Sequence, residues 1–442
     1  MSLLLALGYF AASLTAPGCD ARSVGVAELR PDPEFIHEVP TPNFGDYPNG
    51  IRSVDVAMDS TGGSHVLWHA RTGYPAARSE LWIQSARGGS HDWSEPIPID
   101  TLNGEAALIF ASGRHLHVVD GFRLNYYLGT VAGNSWEFQR SLRPSANSRC
   151  IGFDTVTNGD TLVLAVLAYN KPTPDRGSQS SSKEANGSRT LTVTLELPSS
   201  TVRRVDIERF DGSTDGSPGS DPGPRIVRWR GQLHLFCGIE FFQETEASGR
   251  SSRTFRPLGR IIHYVSGDNG HSWQRMQDLP LGKTPAKDGE PTWLPLFAPD
   301  ISAASTDHAL HVIYTAGSVL IFSSPDATIW DKHEIPGAAP EEKSYPQSRM
   351  SVSKTAFEKQ VLLAWTDIRS TDRGDPNELY GYLIGGVPSD LHADAFMLNP
   401  ADASVSSIRP VALQDRFRCF WVRTNPKTHA VEGLYYTDVV PN

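Results

Sequence analysis

Short apolar runs recur along this chain, each broken by Gly, Asn, Asp, Ser or Pro, and none is as long as a helix needs. That pattern predicts half-buried and buried strands joined by tight turns. One set reads His65–Trp68, Leu116–Val119, Leu162–Val166, Leu233–Phe236, Leu310–Ile313, Val361–Trp365 and Phe417–Trp421. A second set follows each of these: Leu81–Ile83, Leu124–Tyr127, Leu191–Leu195, Ile261–Tyr264, Val319–Phe322, Leu379–Tyr382 and Leu434–Tyr436. The two sets are strands B and C of a repeating unit whose order is A, B, C, D, and each set has seven members. A repeat of this size cannot bury its apolar face alone, so the units must stack on one another. Strand D is visible six times: after Trp93, after Trp136, at Val202–Phe210, after Trp273, after Trp330 and at Ala395–Asn399. The seventh is missing, and Glu34–Val39 near the N-terminus has no unit of its own. The pattern predicts an all-β, seven-bladed β-propeller of four-stranded blades closed by that N-terminal strand, which removes an open sheet edge. Six blades, or a pair of β-sandwiches, are the alternatives.

The turn after the fourth C strand carries the most specific signal. Ser266-Gly-Asp268-Asn-Gly270-His-Ser-Trp273 reads S-x-D-x-G-x-x-W. Ser and Asp can bond the turn backbone, Gly supplies a positive φ, and Trp packs back over the turn. Degenerate copies hold the same phase at Ser85–Trp93, Gly129–Trp136 and Ser324–Trp330. This spacing resembles the Asp-box (BNR) repeat of the sialidase superfamily, a β-propeller signature.

Strand parity then sorts the connections. In an up-and-down meander the B-to-C and D-to-A connections share one face and the Asp-box turns lie on the other. The long segments Asn170–Arg189, Asp211–Gly223, Gln243–Pro257, Leu281–Pro299 and Gly337–Ser348 are all of the first kind, so long loops gather on one face, as at a binding site. The A strands open there with Arg52, Glu105, Arg149, Arg225, Asp300, Arg349 and Arg409, five of them arginine. Arg349, Arg409 and Arg52 fall on consecutive blades across the closure. Clustered guanidinium groups favour a planar carboxylate. The other reading is that each pairs with a neighbouring acid such as Glu105, Asp300 or Asp46.

Composition narrows the rest. The 442 residues carry a formal charge of -10, which argues against a nucleic-acid footprint. Nothing after residue 30 is apolar enough to span a bilayer. Residues 1–30 read as a signal peptide or lipoprotein leader, with Cys19 the residue a lipid anchor would use, and residues 31–442 as one propeller domain. A secreted, periplasmic or cell-surface location follows from that leader. Cys150, Cys237 and Cys419 fall in strands and read as small buried hydrophobes. No CxxC, HExxH or D-x-D-x-D spacing points to a metal, and no cofactor is expected.

The resemblance implies a site. Sialidases hold the sialic-acid carboxylate with three arginines, the first opening the first blade; Gly50-Ile-Arg52-Ser is similar to that opening. It implies Arg52, Arg349 and Arg409 as carboxylate ligands, with Arg225 and Arg71 as further substrate-binding candidates. The family's Tyr nucleophile and its Glu partner are best matched by Tyr345 and Glu290. The loop Arg71–Arg78, where the family's acid/base Asp belongs, holds no carboxylate. The functional expectation is a propeller recognising acidic carbohydrate or glycoconjugates, as an exo-glycosidase of sialidase type. The alternatives are a noncatalytic glycan- or protein-binding propeller and a uronate lyase using Tyr74 or His69 as base.

Overall fold

The structure is a computed structural model that describes residues 36–41, 50–72, 78–88, 90–102, 107–113, 115–121, 123–130, 136–143, 148–158, 161–170, 188–196, 202–210, 217–218, 223–247, 250–280, 300–315, 319–335, 350–354, 356–357, 359–367, 378–385, 396–399, 404–425, 427 and 430–440. Among these there is no helix, and hence no helix long and apolar enough to cross a membrane. The strands form seven antiparallel sheets, five of them simple meanders in chain order. Blade 1 runs Ile51–Met58, Ser64–Thr72, Arg78–Ala86 and Ile97–Leu102. Blades 2 and 3 begin at Ala107 and Ser148, blades 5 and 6 at Asp300 and Met350. Blade 7 takes Ser404–Ala412, Phe417–Thr424 and Val431–Val439 from the C-terminal region, and its outer strand is Ile36–Val39 from the N-terminal region. The predicted closure is therefore the observed one.

Ring closure follows from where apolar side chains go. Strand B is central in each blade and apolar on both faces, so it packs against both neighbouring blades. Seven buried clusters result, each built from two adjacent blades. The cluster that joins blade 7 to blade 1 holds Trp68, Phe420 and Tyr436 beside Val39 of the closing strand. Each A strand touches the A strands of both neighbours, which places all seven around a central channel. Cys237 and Cys419 are buried in these clusters and Cys150 packs against one, and burial pushes the Cys150 thiol up to about 12. All three are free thiols.

Polar pairs cross the B and C strands at one recurring place. His65 stands opposite Ser85, His311 opposite Ser323 and Arg418 opposite Asp438. The first two close hydrogen bonds of 2.7 and 2.8 Å. In blade 4 the equivalent His234 bonds His263 instead, Nδ1 to Nε2, at 3.1 Å.

The turn chemistry is the one the motif requires. Ser272 N–H donates to Asp268 Oδ1 at 2.8 Å, Gly270 N–H to Ser266 Oγ at 2.7 Å, and Trp273 Nε1 to the Gly270 carbonyl at 3.1 Å. Gly270 has φ 90°, a conformation that costs glycine little. These bonds, first from the Ser272 hydroxyl and backbone, hold the Asp268 carboxyl at about 2. In blade 5 Asp326 Oδ1 accepts Thr328 and Ile329 N–H at 2.8 and 3.1 Å, so the shortened copy keeps the device.

Blade 4 departs from expectation. The segment Gln243–Pro257 is not a loop: strands Gln232–Ala247 and Arg250–Ser266 continue as a hairpin to the pair Ala247↔Arg250. The ladder survives a register shift between Ile239 and Phe241 and continues beyond it to the pair Ala247↔Arg250. Its D position is divided between Gln274–Arg275 and Leu279–Pro280.

Candidate functional site

The channel wall carries a layer of polar residues that the B-strand register defines. Two residues on from His65, His117, Val163, His234, His311, Leu362 and Arg418, the A-strand partners are Asp55, Leu108, Asp154, Arg225, Ser302, Ser351 and Arg409. Of the charged openings read from sequence, Arg225 and Arg409 sit at this level and Asp300, Arg149 and Arg52 do not. Asp300 pairs with Thr315, two residues above Ile313, and Arg149 pairs with Tyr169, four above Ala165. Arg52 falls in the register shift between Ile51 and Ser53. At about 3.4 Å per residue the openings are spread over more than 10 Å of channel depth. The cause is local: register shifts at Ile51/Ser53 and Cys150/Gly152, and A strands of unequal length. At the Cys150/Gly152 shift the A strands of blades 3 and 4 approach so closely that a Cβ on Gly152 would stand 2.6 Å from the Gly223 Cα.

Two acids organise the layer in the same way. Asp55 Oδ2 accepts Ile109 N–H of the next blade at 2.8 Å, and Asp154 Oδ2 accepts Ile226 N–H of the next blade at 2.9 Å. Each offers its other oxygen to a cation, Asp55 to one from the neighbouring blade 7 and Asp154 to one from blade 6 across the ring. Arg409 Nε of blade 7 donates to Asp55 Oδ1 at 3.0 Å, while its Nη1 donates to Ser351 Oγ of blade 6 at 3.2 Å. Lys354, just past strand A of blade 6, donates Nζ to Asp154 Oδ1 and, at 3.0 Å, to the Thr155 carbonyl of blade 3. Burial pushes the Asp55 carboxyl up; Arg409, the Ile109 amide and Lys354 all pull the other way. The result is a charge-balanced set of two acids and two bases that ties together blades 1, 3, 6 and 7. In both pairs the acid is the sheltered partner: Asp55 is 13% exposed beside Arg409 at 37%, and Asp154 is 7% exposed beside Lys354 at 48%.

Arg225 sits differently. Its Nη2 donates to Asp300 Oδ1 of blade 5 at 3.0 Å and its Nη1 to the Pro224 carbonyl at 3.2 Å. The two charges are equally exposed, at 25% and 27%. Among the sequence candidates, then, Arg409 and Arg225 have defined partners. Arg52 and Arg71 lie on strands Ile51–Met58 and Ser64–Thr72, with their side chains outside the described set. Arg349, Tyr345, Glu290, Tyr74, Glu105, Asp46 and the leader with Cys19 lie outside the described residues. His69 is buried in strand B of blade 1. Asp55, Asp154, Ser351 and Lys354 were not singled out by sequence. The available signal was a lone acid flanked by apolar neighbours in an inner strand, as in Ser53-Val-Asp55-Val and Gly152-Phe-Asp154-Thr. Among the described residues no cluster of His, Cys, Asp or Glu could hold a metal ion.

Fold and channel together define the class, a seven-bladed β-propeller whose inner strands carry a wall of paired charges. No protein-family model matches the chain, and no curated protein sequence does either. Solved structures similar to it include several glycosidases. An alpha-L-arabinanase from Penicillium chrysogenum, complexed with arabinobiose, is 12% identical over 81% of this chain and 99% of its own, with a TM-score of 0.44. A variant of the NanB sialidase of Streptococcus pneumoniae is 12% identical over 91% of this chain and 70% of its own, with a TM-score of 0.45. The sialidase of Trypanosoma rangeli, with the inhibitor DANA, is 11% identical over 88% of this chain and 55% of its own, with a TM-score of 0.41. At such identities these are likenesses of form. The blade count rests on the strand pairing given above.

Proposed function

We propose that this propeller recognises acidic carbohydrate inside the central channel, entered from the face that collects the B-to-C and D-to-A connections. The observation that carries this reading is Arg409: a guanidinium aimed by Asp55 and Ser351, its acid sheltered and its own surface open. A donor fixed before the ligand arrives loses little side-chain freedom on binding, and its planar fork matches a carboxylate. Arg52 and Arg349, on the blades to either side of blade 7, are the proposed further ligands of that carboxylate, with Arg225 and Arg71 lining the same face. Tyr345 and Glu290 are the proposed nucleophile and its activating base if the sugar is also cleaved. The apolar leader at residues 1–30 fits a place outside the cytoplasm, where such glycans are met.

A noncatalytic version of the same reading is favoured by one observation, the absence of any carboxylate in Arg71–Arg78. The test is titration of the full chain with N-acetylneuraminic acid, glucuronic acid and their methyl esters, alongside a fluorogenic sialoside. Binding of an acid well above its ester supports the proposal, and equal affinity for the two overturns it. Release of the fluorophore separates enzyme from lectin.

A further inference from the structure

Asp59, His65 and Ser85 of blade 1 stand in a hydrogen-bonded line at the face opposite the B-to-C and D-to-A connections. Asp59 opens the A-to-B turn, His65 is the second residue of strand B, and Ser85 lies opposite it near the end of strand C. The turn itself occupies Asp59 Oδ1, which accepts Thr61 N–H at 2.8 Å, the Thr61 hydroxyl at 2.7 Å and Gly63 N–H at 2.9 Å. Asp59 Oδ2 is left for His65 Nε2, at 2.9 Å. Burial pushes this carboxyl up, but the bonds from Thr61, His65 and Gly63 outweigh it and hold it at about 2, so it is ionised at neutral pH. An ionised carboxylate only accepts. His65 Nε2 therefore carries the imidazole proton, and Nδ1 is left as a base facing the Ser85 hydroxyl at 2.7 Å. The His65 and Asp59 side chains are 2% and 3% exposed, whereas Ser85 is half-buried.

Blade 5 makes the same cross-strand pair without an acid. His311 Nδ1 meets Ser323 Oγ at 2.8 Å, but the residue after strand A is Thr306, whose hydroxyl accepts Ala309 N–H of its own turn. His311 Nε2 has no partner, and Ser323 is 1% exposed. Neither the turn nor the pair needs a carboxylate. In blade 1 the carboxylate fixes the tautomer that makes the histidine a base, and the serine keeps surface open to solvent.

We infer that Ser85 is a nucleophile that takes acyl groups from small esters, with His65 as its base and Asp59 as the positioning residue of that base. Ser85 Oγ bonds the acyl carbon while its proton passes to His65 Nδ1, and that proton goes to the departing alkoxide as the ester C–O bond breaks. Water then attacks the acyl carbon, His65 Nδ1 takes its proton, and the carboxylic acid leaves as Ser85 Oγ is reprotonated. Asp59 touches no reacting atom and holds the Nε2 proton throughout. This site is independent of the carbohydrate reading and lies on the other face of the ring.

The experiment treats the full chain with a fluorophosphonate, which traps an activated serine with loss of fluoride, and finds the modified residue by peptide mass spectrometry. Ser85 is expected to carry the label, at roughly one per chain, with Ser323 unlabelled. Acylation by p-nitrophenyl acetate supplies the pH profile. Burial pushes His65 below the usual histidine value and Asp59, the charge acting on it among the described residues, partly opposes this. The rate should therefore rise through an ionisation below about 6.5 and then level off. Asp59→Asn offers Nε2 a donor, which sends the imidazole proton to Nδ1, and should slow acylation about a hundredfold or more. Ser85→Ala should abolish labelling and Ser323→Ala leave it unchanged, with thermal melts run on each variant. If Ser85 of the unaltered chain labels no faster than other exposed serines, the line is a turn strut and the inference fails. A rate that climbs with hydroxide without levelling also overturns it, as does an Asp59→Asn chain that acylates at the original rate. The labelling and the pH profile need no variant, so they decide the matter even if Asp59→Asn does not fold.

Discussion

Two arginine–aspartate pairs in one part of the ring show how burial alone changes what a salt bridge is for. Arg418 and Asp438 face each other across strands B and C of blade 7, at 3% and 1% exposure, with bonds of 2.6 and 2.9 Å from Nε and Nη2. Arg418 also lies 4.2 Å over the Tyr436 ring, within the blade 7–blade 1 core. Arg409 and Asp55 make a single bond on the channel wall, with the guanidinium open to solvent. The first pair has no surface to offer a ligand, and its two ions are a liability unless both are present. The second keeps unused donors and tolerates water, which is what a recognition site needs. Identical chemistry therefore serves packing in one place and binding in the other.

The largest effect should come from breaking the buried pair. Asp438→Ser strands a guanidinium in the core and should cost about 3–5 kcal/mol in chemical denaturation. The double change Arg418→His with Asp438→Ser recreates the histidine–serine pairing of blades 1 and 5, and should recover at least half of that loss. If the double variant is no better than the single one, these cross-strand positions are not equivalent.

Blade 4 offers the uncharged counterpart and a pH signature. Burial pushes His234 down to about 4; burial, then His234, push His263 to about 3. Since unfolded histidines titrate near 6.5, the unfolded state takes up protons first as pH falls. Stability should be complete above about 6.5 and decline as pH falls toward 4, by on the order of 3 kcal/mol for His234. Denaturation midpoints measured at several pH values should show that slope. His263→Phe, in a site where the ring already stacks 4.6 Å from Phe236, should remove the His263 share of that slope and leave the His234 share.

Arg409→Ala should cost about 1 kcal/mol of stability, because the guanidinium is open to water and Asp55 keeps the Ile109 amide. Its effect should appear in carboxylate binding instead. A large stability loss with unchanged binding would reverse the contrast between the two pairs. Asp268→Ala is the smallest test: it removes turn bonds to Ser272 and Ser266 on the far face and should cost about 1 kcal/mol without altering binding.

Much of the fold was legible in the chain because its causes are local. Alternation of apolar residues marked the B and C strands, turn residues marked Ser266–Trp273, and an unmatched strand at Glu34–Val39 announced the closure that pairs Ile36–Val39 with blade 7. The ribbon at Gln243–Pro257 reads as a loop in sequence because it is polar, while pairing with its partner strand makes it a hairpin. The site was less legible. Charged residues at the strand openings were easy to find, but depth along the channel depends on register shifts such as those at Ile51/Ser53 and Cys150/Gly152.

The amino-acid order by itself pointed to seven blades, to their closure by the N-terminal strand and to where the turns fall, since repetition and local turn chemistry carry those features. Only the assembled ring decided which cation meets which acid. Arg409 reaches an aspartate 354 residues away and Lys354 one 200 residues away. Such partners are chosen by the curvature and register of seven packed sheets, which no local pattern encodes.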